Sequence, residues 1–160
     1  MLRIAVVNSG PLIALSLLGR LELLESLFDE FWIPDAVYHE VTVAGVGKPG
    51  ALAISDAAFS ARVLTAPAAD PLLVAELDLG EAAVISLART MPSCLVVLDE
   101  KRGRRIAQQV YGLSVKGTAG LLVEAARAGL LQNLQADFKA LRIAGYYISD
   151  AVVDAALRSV

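Results

Sequence analysis

Residues 2–18, LRIAVVNSGPLIALSLL, predict a strand, a tight turn and a helix in that order. The run LRIAVV is apolar apart from Arg3, whereas Gly10 and Pro11 interrupt any longer apolar segment. A continuous apolar run is typical of a central strand in a parallel sheet that helices cover on both faces. The segment therefore predicts an α/β fold with this strand near the middle of the sheet.

The same alternation of strand and helix continues along the chain. Strand-like runs lie at 2–7, 30–33, 62–65, 94–98 and 113–116. Segments with helical spacing lie at 11–18, 20–27, 35–43, 50–58, 71–76, 80–90, 101–111, 118–128, 133–143 and 149–158. Such alternation predicts right-handed crossovers and a mostly parallel sheet. No repeat or shift in composition marks a boundary, so residues 1–160 are expected to form a single domain.

Capping residues predict several helix ends. Ser149 and Thr118 have side chains suited to N-caps, and Gly112 suits the position after a helix that ends at Tyr111. Tyr146 and Tyr147 are expected to pack against the last helix.

Composition excludes several classes of protein. Hydrophobic residues make up 56% of the chain, which suggests a sheet buried on both faces and an oligomer surface. No apolar run reaches the roughly 18–20 residues of a membrane span, and residues 8–11 interrupt a start that resembles a signal peptide. We therefore expect no contact with a membrane. The lone cysteine, Cys94, permits no intrachain disulfide and fits a core position in a reducing cytoplasm.

Net charge limits the partners that the whole molecule attracts. At −3 the chain does not favour polyanions in general, so binding to nucleic acid requires a local basic patch. The one dense basic cluster consists of Lys101, Arg102, Arg104 and Arg105.

Four polar residues stand beside the most apolar stretches of the chain: Asn8, Glu40, Glu81 and Asp99. Asn8 and Asp99 each follow an apolar strand, and ligands of open parallel sheets bind outside the carboxyl ends of the strands. Glu81 opens one helix and Glu40 lies within another. We expect the four side chains to meet at this edge of the sheet.

Each of the three acids also has an ordinary structural explanation. Asp99 could cap the next helix, Glu81 could be a first-turn charge, and Glu40 could lie on a solvated face. Their combination is more informative, because a buried carboxylate is strongly destabilising unless it is paired or binds a cation. An all-oxygen set predicts Mg²⁺ or Mn²⁺.

Other kinds of catalytic site find little support. His39 is the only histidine and Cys94 the only thiol, without the spacing of a zinc site. Neither the nucleophile motif GxSxG nor the phosphate-binding loops GxGxxG and GxxxxGK[ST] occur.

Five segments, taken in order, resemble the PIN-domain family. They are VVNSGPLIALSLLGRLELL (6–24), WIPDAVYHEV (32–41), LDLGEAAVISLA (77–88), CLVVLDEKRGRRIA (94–107) and VKGTAGLLVEAARAGLL (115–131). The resemblance is strongest to the VapC-like branch, whose members include toxins of type II toxin–antitoxin pairs and predicted PIN nucleic-acid-binding proteins. It implies a three-layer α/β/α sandwich with a short parallel sheet, and a Mg²⁺- or Mn²⁺-dependent ribonuclease.

The resemblance also assigns the site residues. The family's acidic positions, which are catalytic and hold the metal, fall on Asn8, Glu40, Glu81 and Asp99, with Glu100 beside the last. Asn8 departs from the usual aspartate, and an amide oxygen carries no charge, so we expect weaker metal binding. Contacts with RNA are expected from Ser9, Lys101, Arg102 and Arg105.

The expected function is therefore an endoribonuclease that hydrolyses RNA with a metal-activated water. Its expected partners are RNA, a small antitoxin and a second copy of the chain. The alternative is a nucleic-acid- or protein-binding module that kept the fold and lost activity at Asn8. A phospho-receiver-like domain shares the alternating pattern, but the acidic pair expected after its first strand is missing.

Overall fold

A five-stranded parallel sheet forms the centre of the molecule. The computed structural model describes residues 2–160. The strands are β1 (Ile4–Val7), β2 (Glu30–Pro34), β3 (Val63–Leu64), β4 (Leu95–Val97) and β5 (Ser114–Lys116). They lie in the order β3-β2-β1-β4-β5, and every neighbouring pair is parallel. The strand predicted from residues 2–18 is thus the middle one, as expected.

Helices surround the sheet as an α/β/α sandwich. They are α1 (Ser9–Leu17), α2 (Leu23–Leu27), α3 (Asp35–His39), α4 (Ala51–Ile54), α5 (Ala57–Ser60), α6 (Pro71–Glu76), α7 (Leu79–Ala88), α8 (Lys101–Gln109), α9 (Thr118–Arg127), α10 (Leu134–Ile143) and α11 (Asp150–Arg158). Helix α3 packs on α7, whereas α9 contacts α1, α10 and α11. Both central strands are buried apart from their first residues, and Val6 and Val96 have no exposed surface.

A π-helical turn, Glu40–Ala44, continues directly from α3. Such turns are rare and are often found at functional sites. The π-helical turn begins at Glu40, one of the four polar residues that the sequence predicts to form the site. Helix α3 in turn begins at the residue after β2, so Glu40 stays near the carboxyl edge of the sheet.

The predicted elements agree with the structure, apart from details at their ends. All five strands are present, and the predicted helix at 50–58 is divided into α4 and α5. Ser149 caps α11 by accepting a hydrogen bond from the Val152 N–H. Thr118 does not cap α9, because Gly117 occupies that position and the Thr118 side chain binds elsewhere. Helix α8 ends at Gln109, two residues before the predicted end.

The burial of Cys94 and the character of the helices can both be compared with the predictions, within residues 2–160. Cys94 is buried in the core, as expected, and donates to the Ala88 carbonyl oxygen. None of the helices in this part of the chain combines the length and the apolar character that crossing a membrane requires.

Candidate functional site

The register of the sheet brings Asn8 and Asp99 to one edge. Val7 is paired with Val97, and the Asn8 N–H donates to the Val97 carbonyl oxygen at 3.0 Å. Asn8 follows β1 directly, and Asp99 comes two residues after the last residue of β4. The ends of the two apolar strands are therefore adjacent, which places these two residues at a common edge of the sheet.

Asn8 and Glu40 meet above Gly80 in the first turn of α7. A Cβ atom on Gly80 would lie 3.0 Å from Glu40 Oε1 and 3.5 Å from Asn8 Oδ1. Asn8 is buried, and its Oδ1 has no hydrogen-bond partner among the described residues. Gly80 thus leaves a gap, lined by oxygen atoms, that any other residue would partly fill.

Asp78 is a third oxygen donor at this gap, and the sequence analysis missed it. Its Oδ1 lies 3.5 Å from the same Cβ position on Gly80. It also accepts a hydrogen bond of 2.8 Å from the Glu81 N–H and so caps α7. The spacing Asp78-x-x-Glu81 is that of a capping box, and this pattern could have identified Asp78 as a residue at the start of α7.

Glu81 is a buried carboxyl group among other acids. Only 7% of the residue is exposed, and its Oε2 has no hydrogen-bond partner within residues 2–160. Burial above all, and then the neighbouring Asp78 and Glu100 carboxylates, raises the pKa of Glu81 from 4.5 to about 8. Glu81 therefore keeps a proton near neutral pH unless a cation compensates its charge.

A second gap lies above Gly103 in α8, next to the first. A Cβ atom there would be 2.9 Å from Glu81 Oε2 and 3.7 Å from Glu100 Oε2. Glu100 is exposed and caps α8 by accepting from the Gly103 N–H at 2.8 Å. Glu81 thus lies between Asp78 on one side and Glu100 on the other.

Asp99 lies at the same edge of the sheet, near the first turn of α1, where its Oδ2 is 3.7 Å from the position that a Cβ atom on Gly10 would take. Its Oδ1 accepts from the Thr118 N–H at 2.6 Å, and its Oδ2 accepts from the Thr118 hydroxyl at 2.6 Å. The Tyr146 hydroxyl also donates to Oδ2. Burial, and then Asp99, raises the pKa of Tyr146 above its ordinary value, so the hydroxyl keeps its proton and remains a donor. Asp99 therefore joins the end of β4 to α9 and to the segment before α11.

The two tyrosines near the C-terminus differ from expectation. Tyr146 reaches the site, whereas Tyr147 does not pack on the last helix because 85% of it is exposed. The prediction that both pack against α11 was wrong for Tyr147. The contact between Tyr146 and Asp99 has no local signal, since 47 residues separate them.

The donor atoms suit a divalent cation in their chemistry. Among residues 2–160, no group of three or more histidine, cysteine, aspartate or glutamate side chains is close enough to hold a metal ion. Two buried oxygens, Asn8 Oδ1 and Glu81 Oε2, nevertheless have no partner in this part of the chain and point into the two gaps. Carboxylate and amide oxygens are the ligands that Mg²⁺ and Mn²⁺ prefer. The residues that could contribute oxygen ligands are Asn8, Glu40 and Asp78 at the gap above Gly80, and Glu81 and Glu100 at the gap above Gly103.

A basic groove of about 870 Å³ begins beside Asp99. Its lining includes Lys101, Arg104, Lys116 and Arg127 as well as the exposed Tyr147. Both arginines expected to bind RNA lie elsewhere on α8: Arg102 forms an ion pair with Glu76, and Arg105 is exposed. Ser9 is half-buried at the start of α1.

We expect the unfolding free energy of the metal-free protein to fall as the pH rises from about 5 to 9. The pKa of Glu81 is higher in the folded state, so its stabilising contribution is complete below 4.5 and is lost as the pH passes through about 8. The slope for one proton is at most ~1.4 kcal/mol per pH unit. Denaturant unfolding in EDTA at several pH values measures it.

Glu81→Gln should remove this part of the pH dependence, because the amide does not titrate. Glu25→Gln, on the exposed face of α2, is the matched control and should keep the wild-type slope. Parallel profiles for wild type and Glu81→Gln would show that Glu81 is not the titrating group.

Gly103→Ala should destabilise the protein by about 1–3 kcal/mol, although alanine favours helices. The added Cβ would lie 2.9 Å from both Glu81 Oε2 and Leu98 Cδ2, and the leucine is fully buried. Thermal unfolding measures the change, with Gln108→Ala on the exposed face of α8 as the control. An unchanged melting temperature for Gly103→Ala would show that the space above Gly103 can accept a Cβ atom without strain.

Comparison with known proteins agrees with the parallel α/β/α fold. A family model described as a PIN domain matches residues 4–160. PIN domains are generally nucleases and typically bind divalent metals. No similar curated protein and no similar solved structure was found. Since the match covers almost the whole chain, the protein belongs to the PIN-domain family.

Proposed function

We propose that the protein is a Mg²⁺- or Mn²⁺-dependent endoribonuclease of the VapC-like toxin type. The observation that carries the proposal is the pair of buried, unpartnered oxygens, Asn8 Oδ1 and Glu81 Oε2, at the carboxyl edge of the sheet. Unpartnered buried oxygens are destabilising in the absence of a ligand. Their presence beside further carboxylates supports a site built for a cation.

The chemistry of the site follows from these oxygens. A bound divalent ion lowers the pKa of a water molecule and stabilises negative charge on a phosphate. Asn8 offers a neutral oxygen that binds the cation or orients water, while Glu40 and Glu81 supply charge. Hydrolysis would leave a 5′-phosphate and a 3′-hydroxyl, as the family resemblance implies.

The groove beside Asp99 supports a polyanionic substrate. Lys101 and Arg104 line it, and neither forms an ion pair within residues 2–160. Such cations bind phosphates and position a nucleic acid without reading its sequence. Arg105 and Ser9 remain proposed contacts outside the groove, and Arg102 would have to leave Glu76 to reach RNA.

Exposed apolar side chains support the proposed protein partners, a small antitoxin and a second copy of the chain. Val46 and Leu52 are 74% and 92% exposed around α4, and Leu79 at the start of α7 is 81% exposed. Exposed apolar side chains can contribute to an interaction site where they form a continuous patch. We place the protein in the cytoplasm because its single cysteine is buried and reduced.

The test is cleavage of a single-stranded RNA in Mg²⁺ or Mn²⁺. We expect cleavage to stop in EDTA and to fall by about 100-fold or more in Glu40→Gln and Glu81→Gln, because each change removes a negative oxygen from the site. Glu25→Gln should cleave at the wild-type rate. Cleavage that persists in EDTA, or in both site variants, would reject the metal-dependent mechanism.

A second candidate function is a binding module without catalysis. Asn8 in place of the family's usual aspartate favours it, because the amide contributes no charge. This alternative predicts RNA or protein binding that is insensitive to Mg²⁺ and no turnover in Asn8→Asp. Turnover that appears or rises in Asn8→Asp would instead identify an enzyme weakened at this position.

A further inference from the structure

We infer that Glu100, and not Asp99, is the carboxylate that binds the metal together with Glu81. Asp99 is instead a structural anchor for α9 and the C-terminal segment. The inference rests on the proposed function, since it concerns the ligands of the same cation. It reverses the assignment made from the family pattern, which gives Asp99 this role.

The first argument is the approach of Glu100 to Glu81. A Cβ atom placed on Gly103 would lie 3.7 Å from Glu100 Oε2 and 2.9 Å from Glu81 Oε2, so both oxygens border the same small space. Two ionised carboxylates at such short range repel each other, so both can carry their charge only when a cation lies between them. In residues 2–160, no lysine or arginine forms an ion pair with either acid. A divalent cation between them would convert this repulsion into attraction.

The second argument is that Glu81 is more than nine-tenths buried and its Oε2 is unpartnered within the described residues. The atom is directed at the gap above Gly103, where Glu100 is exposed at the surface. The pair thus combines a buried oxygen without a partner and the carboxylate of an exposed residue, whose Oε2 also accepts from the Gly103 N–H.

The third argument is that Asp99 has little capacity left for a metal. A carboxylate has about four lone-pair sites, and three of those on Asp99 accept hydrogen bonds from Thr118 and Tyr146. The Arg104 guanidinium lies nearby without forming an ion pair, since Nη1 lies 3.4 Å and Asp99 Oδ1 lies 2.8 Å from the Cβ position of Gly117. The charge of Asp99 is therefore already compensated by donors, whereas that of Glu81 is not.

The capping of α8 explains why adjacent residues face different ways. Glu100 is the N-cap, so its side chain turns back over the first turn of α8 towards Gly103. Asp99 precedes the cap and lies beside Thr118, the first residue of α9. The direction of each carboxylate is thus determined by the helix that it contacts.

The experiment measures Mn²⁺ binding to the metal-free protein by calorimetry, together with the melting temperature in EDTA. Glu100→Gln keeps an oxygen that can cap α8. It should weaken Mn²⁺ binding by about 10- to 100-fold, in the range seen when metal sites lose a supporting group. Its melting temperature in EDTA should stay close to that of wild type, because the amide oxygen can still accept from the Gly103 N–H.

Asp99→Asn should show the opposite pattern. We expect its melting temperature to fall by several degrees, as the loss of charged hydrogen bonds predicts, while its affinity for Mn²⁺ changes by less than about threefold. Tyr146→Phe removes one donor to Asp99 and keeps every carboxylate, so it tests the anchor if Asp99→Asn does not fold. It should melt earlier and bind Mn²⁺ like wild type. Glu25→Gln should match wild type in both measurements.

Three results would overturn the inference in distinguishable ways. Wild-type affinity in Glu100→Gln would show that Glu100 is not a ligand. Loss of Mn²⁺ binding in Asp99→Asn at an unchanged melting temperature would restore Asp99 as the ligand. A wild-type protein that binds no Mn²⁺ would contradict the proposed function itself, and with it this inference.

Discussion

The buried carboxyl group of Glu81 is the feature on which the organisation of the site depends. It lies in the first turn of α7, has no partner for Oε2 within residues 2–160, and is close to two other acids. The N-terminus of α7 provides only part of the compensation, because a helix dipole contributes about 1 kcal/mol. The remaining destabilisation is removed by a proton or by a cation. In the metal-free protein Glu81 is protonated, whereas in a metal-bound protein the cation would compensate the charge of the ionised carboxylate.

The sheet determines which other groups surround Glu81. Strands β1 and β4 pair in parallel, so Asn8 and the residues after β4 leave the sheet side by side. Helix α7 contacts both of these strands and also α3, which brings Glu40 over Gly80. The residues of the site are therefore attached to several elements of the core, and Asp78 and Glu81 both lie at the N-terminus of α7. An opening of either gap would require the rigid sheet or its helices to separate.

The sequence was sufficient for the positions of the main chain but not for the directions of the side chains. Continuous apolar runs identify β1 and β4 as buried strands, and this alone places Asn8 and Asp99 at one edge. Neighbouring acids such as Asp99 and Glu100 cannot be ranked in this way, because strand spacing says nothing about which one a helix cap or Thr118 will engage. Asp78 was overlooked because its capping pattern has a structural explanation. Contacts across distant segments, such as that of Tyr146, leave no periodic signal.

The neutral side chain of Asn8 is better understood from the charges around it than from the family pattern alone. Its Oδ1 lies near the carboxylates of Glu40 and Asp78 above Gly80, and Glu81 is the residue that follows Gly80. An aspartate at this buried position would add a further negative charge to this group, at a large electrostatic penalty in the metal-free state. The amide avoids that penalty and keeps an oxygen directed into the gap. With Asp78 and Glu100 present, four carboxylates remain around the two gaps, so the absence of charge at Asn8 does not by itself leave the site without the means to attract a divalent cation.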